Sequence, residues 1–203
     1  MAGAISKLFQ DGIWKNNPIF VQVLGICSTL AVTNLLANTL FMCFGLIFTT
    51  ALSSLTISLL RNFIPPRIRM IVQVLIIATY VMMVDIMIKA SAPDIHRFIG
   101  PYVGLIITNC IIMGRAEAFA SQNKPVASLI DGLAMGIGYS LVLIIIAAIR
   151  EPLGFGTLLG HPLPAREVWW HQWTIMVMAP GAFFMLGLLS WMAKLRMMKK
   201  DEA

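Results

Sequence analysis

The sequence predicts an all-α integral membrane protein with six transmembrane segments, arranged as a 3+3 inverted repeat with interrupted first and fourth spans. Of its 203 residues, 59% are hydrophobic and only 12% are charged, whereas soluble domains average about 25% charged residues. Six helices of about 20 residues would use about 120 residues, which matches the apolar content and leaves no room for an ordinary soluble domain. A soluble enzyme, a disordered tail and a disulfide scaffold are excluded.

The positions of the charged residues divide the chain into spans. Forty-five consecutive uncharged residues separate Lys15 from Arg61, and a polar break at 33–39 divides this run in two. Shorter uncharged runs define the other segments. The predicted spans are 18–32, 40–60, 68–90, 98–114, 126–149 and 174–195.

These spans are expected to form a single membrane domain over residues 1–203. It would comprise a cytoplasmic or interfacial N-terminal segment (1–17), a first three-helix repeat (18–97), a second three-helix repeat (98–195) and a basic cytoplasmic tail (196–203). The N-terminal segment lacks the apolar run of a signal peptide. Its apolar residues recur at helical spacing, which indicates a short interfacial helix, with a frayed tail as the alternative.

The distribution of Lys and Arg predicts the orientation. An even number of spans places both termini on one side, and short cytoplasmic loops carry an excess of these residues. The side of the termini holds eleven and the other side four, so both termini are expected to be cytoplasmic. The net charge of +6 is thereby explained by topology in a lipid membrane, and no nucleic-acid partner is expected. The eleven are Lys7, Lys15, Arg61, Arg67, Arg69, Arg115, Lys124, Lys194, Arg196, Lys199 and Lys200, and the four are Lys89, Arg97, Arg150 and Arg166.

The first and fourth spans are irregular. The apolar stretch Ile19–Ala31 has only 13 residues, and Phe98–Met113 has 16, with two glycines, a proline, a threonine and an asparagine inside it. They occupy corresponding positions in the two halves of the chain. Such segments indicate an inverted repeat whose site lies near the membrane midplane.

Each interrupted span contains a cysteine, Cys27 or Cys110, whereas Cys43 lies in an ordinary helical run and is predicted to be a core residue. A pseudo-twofold axis would bring Cys27 and Cys110 together, where thiolates could bind zinc or an iron–sulfur cluster. A cluster normally takes four cysteines, so a partner chain would have to supply two. A disulfide between the two cysteines is the structural alternative.

At these cysteines the sequence resembles a known family. Lys15–Pro18, Val23–Thr33 and Gly104–Ala120 closely resemble membrane subunits shared by the sodium-translocating NADH:quinone oxidoreductase (Nqr) and the Rnf complex. The resemblance continues through Ser128–Gly132 and Arg150–Glu151 and covers nearly the whole chain.

Within that family, three motifs look more like the D subunit of Nqr than the E subunit of Rnf. They are Gly25–Ser28, Arg69–Gln73 and Val84–Asp85. The segment after Pro162 is shorter than expected of the Nqr protein, which keeps an Rnf ferredoxin:NAD⁺ oxidoreductase subunit open as the alternative.

The resemblance implies a subunit of a Na⁺-transporting NADH:ubiquinone reductase in the bacterial inner membrane, with no catalytic residue of its own. It implies that Cys27 and Cys110 are two of the four ligands of an intramembrane [2Fe-2S] cluster, the others coming from a homologous, oppositely inserted E subunit. Electrons from NADH would cross this cluster towards quinone, coupled to Na⁺ export. NADH, flavins and quinone would be bound by the remaining A, B, C and F subunits.

Three acidic residues are candidates for an ion pathway. Asp85 lies within the third span, and an intramembrane acid is a functional candidate by default; an ion pair with Lys89 is the structural alternative. Asp131 opens the fifth span, where a carboxylate also complements the helix dipole. Glu117, at the end of the fourth span, can simply lie in solvent, so Asp85 and Asp131 rank first.

Two further classes share part of this pattern. A secondary transporter would have the same inverted repeat and midplane break, but it would need no iron and would act alone. A cofactor-free scaffold subunit would tolerate the loss of both cysteines. Purification of the chain with its partners, followed by measurement of iron, sulfide and the paramagnetic signal on reduction, distinguishes the three classes.

Overall fold

A computed structural model of the protein describes residues 24–91, 93–158, 161–162 and 178–201. The predicted interfacial segment 1–17, the beginning of the first span, most of the loop before the last span and the end of the basic tail lie outside these residues. The described elements are α1 (Ile26–Val32), α2 (Leu36–Leu60), α3 (Arg69–Ser91), α4 (Pro93–Ile107), α5 (Cys110–Arg115), a π-helix (Ala116–Ala120), α6 (Pro125–Phe155), β1 (Thr157–Leu158), β2 (His161–Pro162) and α7 (Ala179–Asp201).

Four helical segments of the described chain are long and apolar enough to cross a membrane. They are Leu36–Leu60, Arg69–Ser91, Gly100–Ala120 and Pro125–Phe155, and a shorter apolar helix, Pro180–Met192, lies within α7. The predicted class, an all-helical membrane protein, is confirmed, with one small addition. The strands β1 and β2 pair antiparallel in a two-residue ribbon after α6.

Two helices extend beyond their predicted bounds because polar residues find partners inside the protein. Helix α2 begins at Leu36 rather than at residue 40, since the Thr39 hydroxyl donates to the carbonyl oxygens of Leu35 and Val32 at 2.9 and 3.1 Å. Helix α6 continues past residue 149 to Phe155. Arg150 and Glu151 are 2% and 0% exposed there.

The helices α2 and α6 form the most extensive contact of the described fold. A Cβ atom on Gly132 would lie 2.9 Å from the Thr50 carbonyl oxygen, and one on Gly136 would lie 3.2 Å from the Ile47 Cα. From Gly132 to Gly136 along α6, the facing residue on α2 changes from Thr50 back to Ile47, so the two helices are antiparallel. Small residues at such an interface let membrane helices approach closely.

The C-terminal end of α2 closes the link that leads into α6. The Ser58 hydroxyl donates to the Asn123 carbonyl oxygen at 2.6 Å, and the Arg61 guanidinium donates to the Gln122 carbonyl oxygen at 3.0 Å. These bonds pair two backbone carbonyl oxygens that lie outside the helices and accept no bond within one.

The C-terminal end of α6 closes the link between α1 and α2. The Arg150 guanidinium donates to the Thr33 hydroxyl at 2.5 Å, and the Glu151 carboxylate accepts the Leu36 backbone N–H at 2.8 Å. A negative charge is favourable at the N-terminus of a helix such as α2. Each of the two central helices therefore stabilises the loop that precedes the other.

Replacing Gly132 by alanine should separate α2 from α6, because the new Cβ would overlap the Thr50 carbonyl oxygen. We expect the variant to lose about 1–3 kcal/mol of stability, measured as a lower melting temperature in detergent. Gly187→Ala in α7 is the matched control, since nothing in the described structure lies within 4 Å of its Cβ position. Equal melting temperatures for the two variants would contradict this packing.

Candidate cysteine site at two facing helix breaks

The first helix break lies at Gly25. This residue has φ 80° and ψ 20°, a left-handed conformation that glycine adopts readily. A Cβ atom here would lie 2.6 Å from the Ile111 Cδ1 atom and 2.9 Å from the Tyr139 hydroxyl oxygen. The break that starts α1 is therefore pressed against α5 and the middle of α6.

The second helix break lies between α4 and α5. Thr108 and Asn109 leave the helix, and Asn109 is extended, with φ −67° and ψ 120°. Its side-chain oxygen accepts the Ile111 backbone N–H at 3.0 Å. This is an N-cap bond, of the kind that stabilises the first turn of a new helix, and Cys110 is the first residue of that helix.

Buried side chains connect the two breaks. The Tyr139 hydroxyl donates to the Gly25 carbonyl oxygen at 2.8 Å and is also hydrogen-bonded to the Ser28 hydroxyl. The Asn109 side-chain nitrogen donates to the Ser28 hydroxyl oxygen at 3.3 Å. The three side chains are no more than 1% exposed. Tyr139 lies near the middle of α6, so the breaks meet midway along this long apolar helix.

The structure places the two predicted site cysteines differently from the third. Cys27 and Cys110 are free and exposed on the surface of this chain. Cys43 is 4% exposed, and its thiol donates to the Ser140 carbonyl oxygen at 3.7 Å, as predicted for a core residue. Cys27 directly precedes Ser28 and Cys110 directly follows Asn109, so the bond between Ser28 and Asn109 joins the neighbours of both exposed thiols.

This chain does not complete a metal site by itself within the part that is described. Among those residues, no group of three or more His, Cys, Asp or Glu side chains could hold a metal ion. The two exposed thiols are instead available to a second chain.

The acidic candidate Asp85 lies towards the C-terminal end of α3. Its carboxylate is 2.9 Å from the His96 Nε2 atom across the turn into α4. The two side chains are about one-third and one-quarter exposed, at 38% and 23%. Histidine, rather than Lys89, is the partner that the structure gives to this acid.

Asp131 and Glu117 lie together at the opposite end of the helices. Asp131, 4% exposed, is ion-paired with Arg115, whose Nε atom donates at 3.0 Å. Glu117 is in the π-helix, is ion-paired with Arg69 and accepts the Gln73 amide at 2.9 Å. Arg69 is 16 residues before Asp85 on α3, which corresponds to about 24 Å, so the three acids do not form one cluster.

Sequence reasoning missed four residues that determine this geometry. Tyr139 and Ser28 connect the breaks, and Arg150 and Glu151 hold the start of α2. A charged pair at the end of an apolar run is a detectable signal, because lipid excludes charge. Tyr139 has no comparable signal, since a tyrosine in an apolar run is also common at membrane interfaces.

Long apolar spans, small-residue helix contacts and facing helix breaks define a polytopic helical membrane protein. Within that class, the chain belongs to the Rnf-Nqr family: the family model described as "Rnf-Nqr subunit, membrane protein" matches residues 5–190.

Two curated relatives extend the comparison. The chain is 46% identical to the D subunit of the Na(+)-translocating NADH-quinone reductase of Psychromonas ingrahamii, over 98% of this chain and 95% of that protein. It is also 46% identical to the D protein of the same reductase from Pasteurella multocida, over 92% of this chain and 91% of that protein.

Proposed function

We propose that the chain is the D subunit of a Na⁺-translocating NADH–quinone reductase and that it supplies half of an intramembrane [2Fe-2S] site. Cys27 and Cys110 would be two of its four ligands, and a homologous, oppositely inserted E subunit would provide the other two. The near-complete coverage of these two relatives supports this assignment over an Rnf protein. The chain spans 95% of the Psychromonas protein, so the short segment after Pro162 does not favour Rnf.

The observation that carries this proposal is the contrast among the three cysteines. Two thiols are exposed beside facing helix breaks, whereas the third is buried in the core. An exposed thiol on a lone membrane chain would face lipid or a partner, and thiolates are soft ligands suited to iron–sulfur chemistry. When bound, a [2Fe-2S] cluster supplies one-electron transfer.

The chain's own residues bind and orient that site. Helices α1 and α5 present the thiols, and the apolar core behind them includes Ile111, Ile112 and Leu143, each no more than 1% exposed. Such a shell restricts water and influences the potential of a metal site. The complex would move electrons from NADH towards quinone, with flavins and substrates held by the A, B, C and F subunits.

The contacts of the two central helices support an inverted repeat. In such a repeat, α2 and α6 are equivalent second spans, and each would contact the other half in the same way. The end of α2 stabilises the link before α6, and the end of α6 stabilises the link before α2. We propose on this basis the two repeats 18–97 and 98–195. The excess of Lys and Arg on the side of the termini supports a cytoplasmic location for both termini.

Removing either exposed thiol should remove one cluster from the complex. We expect Cys27→Ala and Cys110→Ala complexes to lose the iron and acid-labile sulfide of one [2Fe-2S] cluster and to lose quinone reduction, because each variant leaves only three of the four thiolates that such a cluster normally takes. Iron and sulfide assays with electron paramagnetic resonance of the reduced sample measure this. Cys43→Ala is the matched control and should retain both. Unchanged iron in the Cys27 and Cys110 variants would refute the proposal.

The acidic residues Asp85, Asp131 and Glu117 are proposed as parts of an ion pathway, with Asp85 as the leading candidate. Asp85 is the most exposed of the three carboxylates, at 38%. A pathway residue must exchange its partner for the ion, and an accessible pair with a histidine can do so at less cost than a buried pair with an arginine.

The variant Asp85→Asn tests this role. It removes the charge but retains the side-chain size, so we expect loss of Na⁺-stimulated activity while iron content stays normal. The measurement is the turnover rate against Na⁺ concentration. Lys89→Gln, one turn away, serves as the control for a change of surface charge. A wild-type Na⁺ response in Asp85→Asn would remove this residue from the pathway.

A further inference from the structure

Tyr139, Ser28 and Asn109 are buried polar side chains in the membrane interior, and none of them is a ligand in the proposed site. We propose that these three residues form a hydrogen-bonded clasp that fixes the separation of the Cys27 and Cys110 thiols before any metal binds. The clasp is a positioning device. Only its expected effect on iron binding rests on the proposed function. All the hydrogen bonds of the clasp lie within this chain and need no partner subunit.

The bonds of the clasp run continuously from one break to the other. Asn109 donates to Ser28 at 3.3 Å, Ser28 is bonded to Tyr139, and Tyr139 donates to the Gly25 carbonyl oxygen at 2.8 Å. The Ser28 hydroxyl has two available acceptors, the Tyr139 hydroxyl and the Gly25 carbonyl oxygen at 3.2 Å. When it donates to Tyr139, each hydroxyl both gives and receives one bond. The clasp thus connects α5, α1 and α6 without leaving a hydroxyl unpaired.

Asn109 acts at both of its side-chain atoms. Its oxygen caps the first turn of α5 through the Ile111 N–H at 3.0 Å, and its nitrogen binds Ser28. The orientation of the turn that carries Cys110 is therefore coupled to the turn that carries Cys27.

The short helices need this support. Helix α1 has seven residues, and α5 with the π-helix that continues it has eleven, and helices of this length are marginal on their own. Their positions depend on tertiary contacts, and in lipid each free backbone polar group must also find a partner. The clasp provides tertiary contacts to both helices, and its Asn109 side chain pairs the Ile111 N–H.

A fixed thiol separation matters because a metal site binds best when its ligands are preorganised. Residues that hold ligands in place typically change metal affinity by about 10–100-fold when they are replaced. Tyr139→Phe retains the ring in the core and removes only the hydroxyl. Tyr80→Phe is the matched control, because that hydroxyl binds Thr56 at 2.7 Å, between α2 and α3.

The first measurement needs no iron. The full-length chain in lipid nanodiscs, in a Cys43→Ala background, carries spin labels on Cys27 and Cys110, and the distance distribution between them is recorded. We expect a single narrow distance distribution for the chain that retains Tyr139 and for its Tyr80→Phe variant. The Tyr139→Phe variant should give a distribution about twice as wide. Ser28→Ala, a smaller change on α1, should widen it too and serves if Tyr139→Phe does not fold.

The second measurement uses the assembled complex with its native cysteines. We expect iron loss to a chelator to be about 10-fold faster in Tyr139→Phe, with no change in Tyr80→Phe. An unchanged distance distribution in both Tyr139→Phe and Ser28→Ala overturns the clasp, whatever the iron content. An equal widening in Tyr80→Phe also overturns it, because the effect would then be general loosening. If the distribution widens as expected but wild-type complex holds no iron at this site, the clasp stands and the proposed function fails.

Discussion

The structure depends on how a membrane protein satisfies backbone polar groups where a helix is interrupted. Lipid offers no hydrogen bonds, so each break needs partners from the protein. Here two breaks lie against each other. The hydroxyls of Thr29 and Tyr139 donate to the Gly25 carbonyl oxygen at the first break, and the side chain of Asn109 pairs the Ile111 N–H at the second. Because both breaks share one set of bonds, the segments on either side are held in one geometry. The exposed thiols lie beside this junction.

The helix pair α2–α6 provides the rigid frame behind that junction. Its glycines bring two long helices into close contact, which holds Tyr139 in the middle of α6 at a fixed depth. The same pair ends in polar contacts that stabilise both adjoining links. The interruptions at the start of α1 and between α4 and α5 are then tolerated, because the contact between α2 and α6 does not depend on those segments. The proposed cluster site would lie where the two interrupted segments pack against this frame.

Apolar runs and charge positions were enough to predict the membrane class, the third span and the interruption of the fourth. They could not predict that α6 would continue through Arg150 and Glu151, because burial of that pair depends on Thr33 and Leu36, over 110 residues away in sequence. The role of Cys43 as a core residue followed from its regular helical context. The bonds of Tyr139 did not, since they require knowledge of which helices are adjacent. The partner of Asp85 was also missed, as the turn into α4 brings His96 back towards α3.

The central claim is that two thiols of this chain share one iron–sulfur cluster with a second protein of the complex. An experimental map of the purified complex, with anomalous scattering recorded at the iron absorption edge, tests it most directly. The account predicts an iron peak in bonding contact with the Sγ atoms of both Cys27 and Cys110 and with two cysteines of a neighbouring chain. A map in which iron is absent from these thiols, or contacts only one of them, would contradict it.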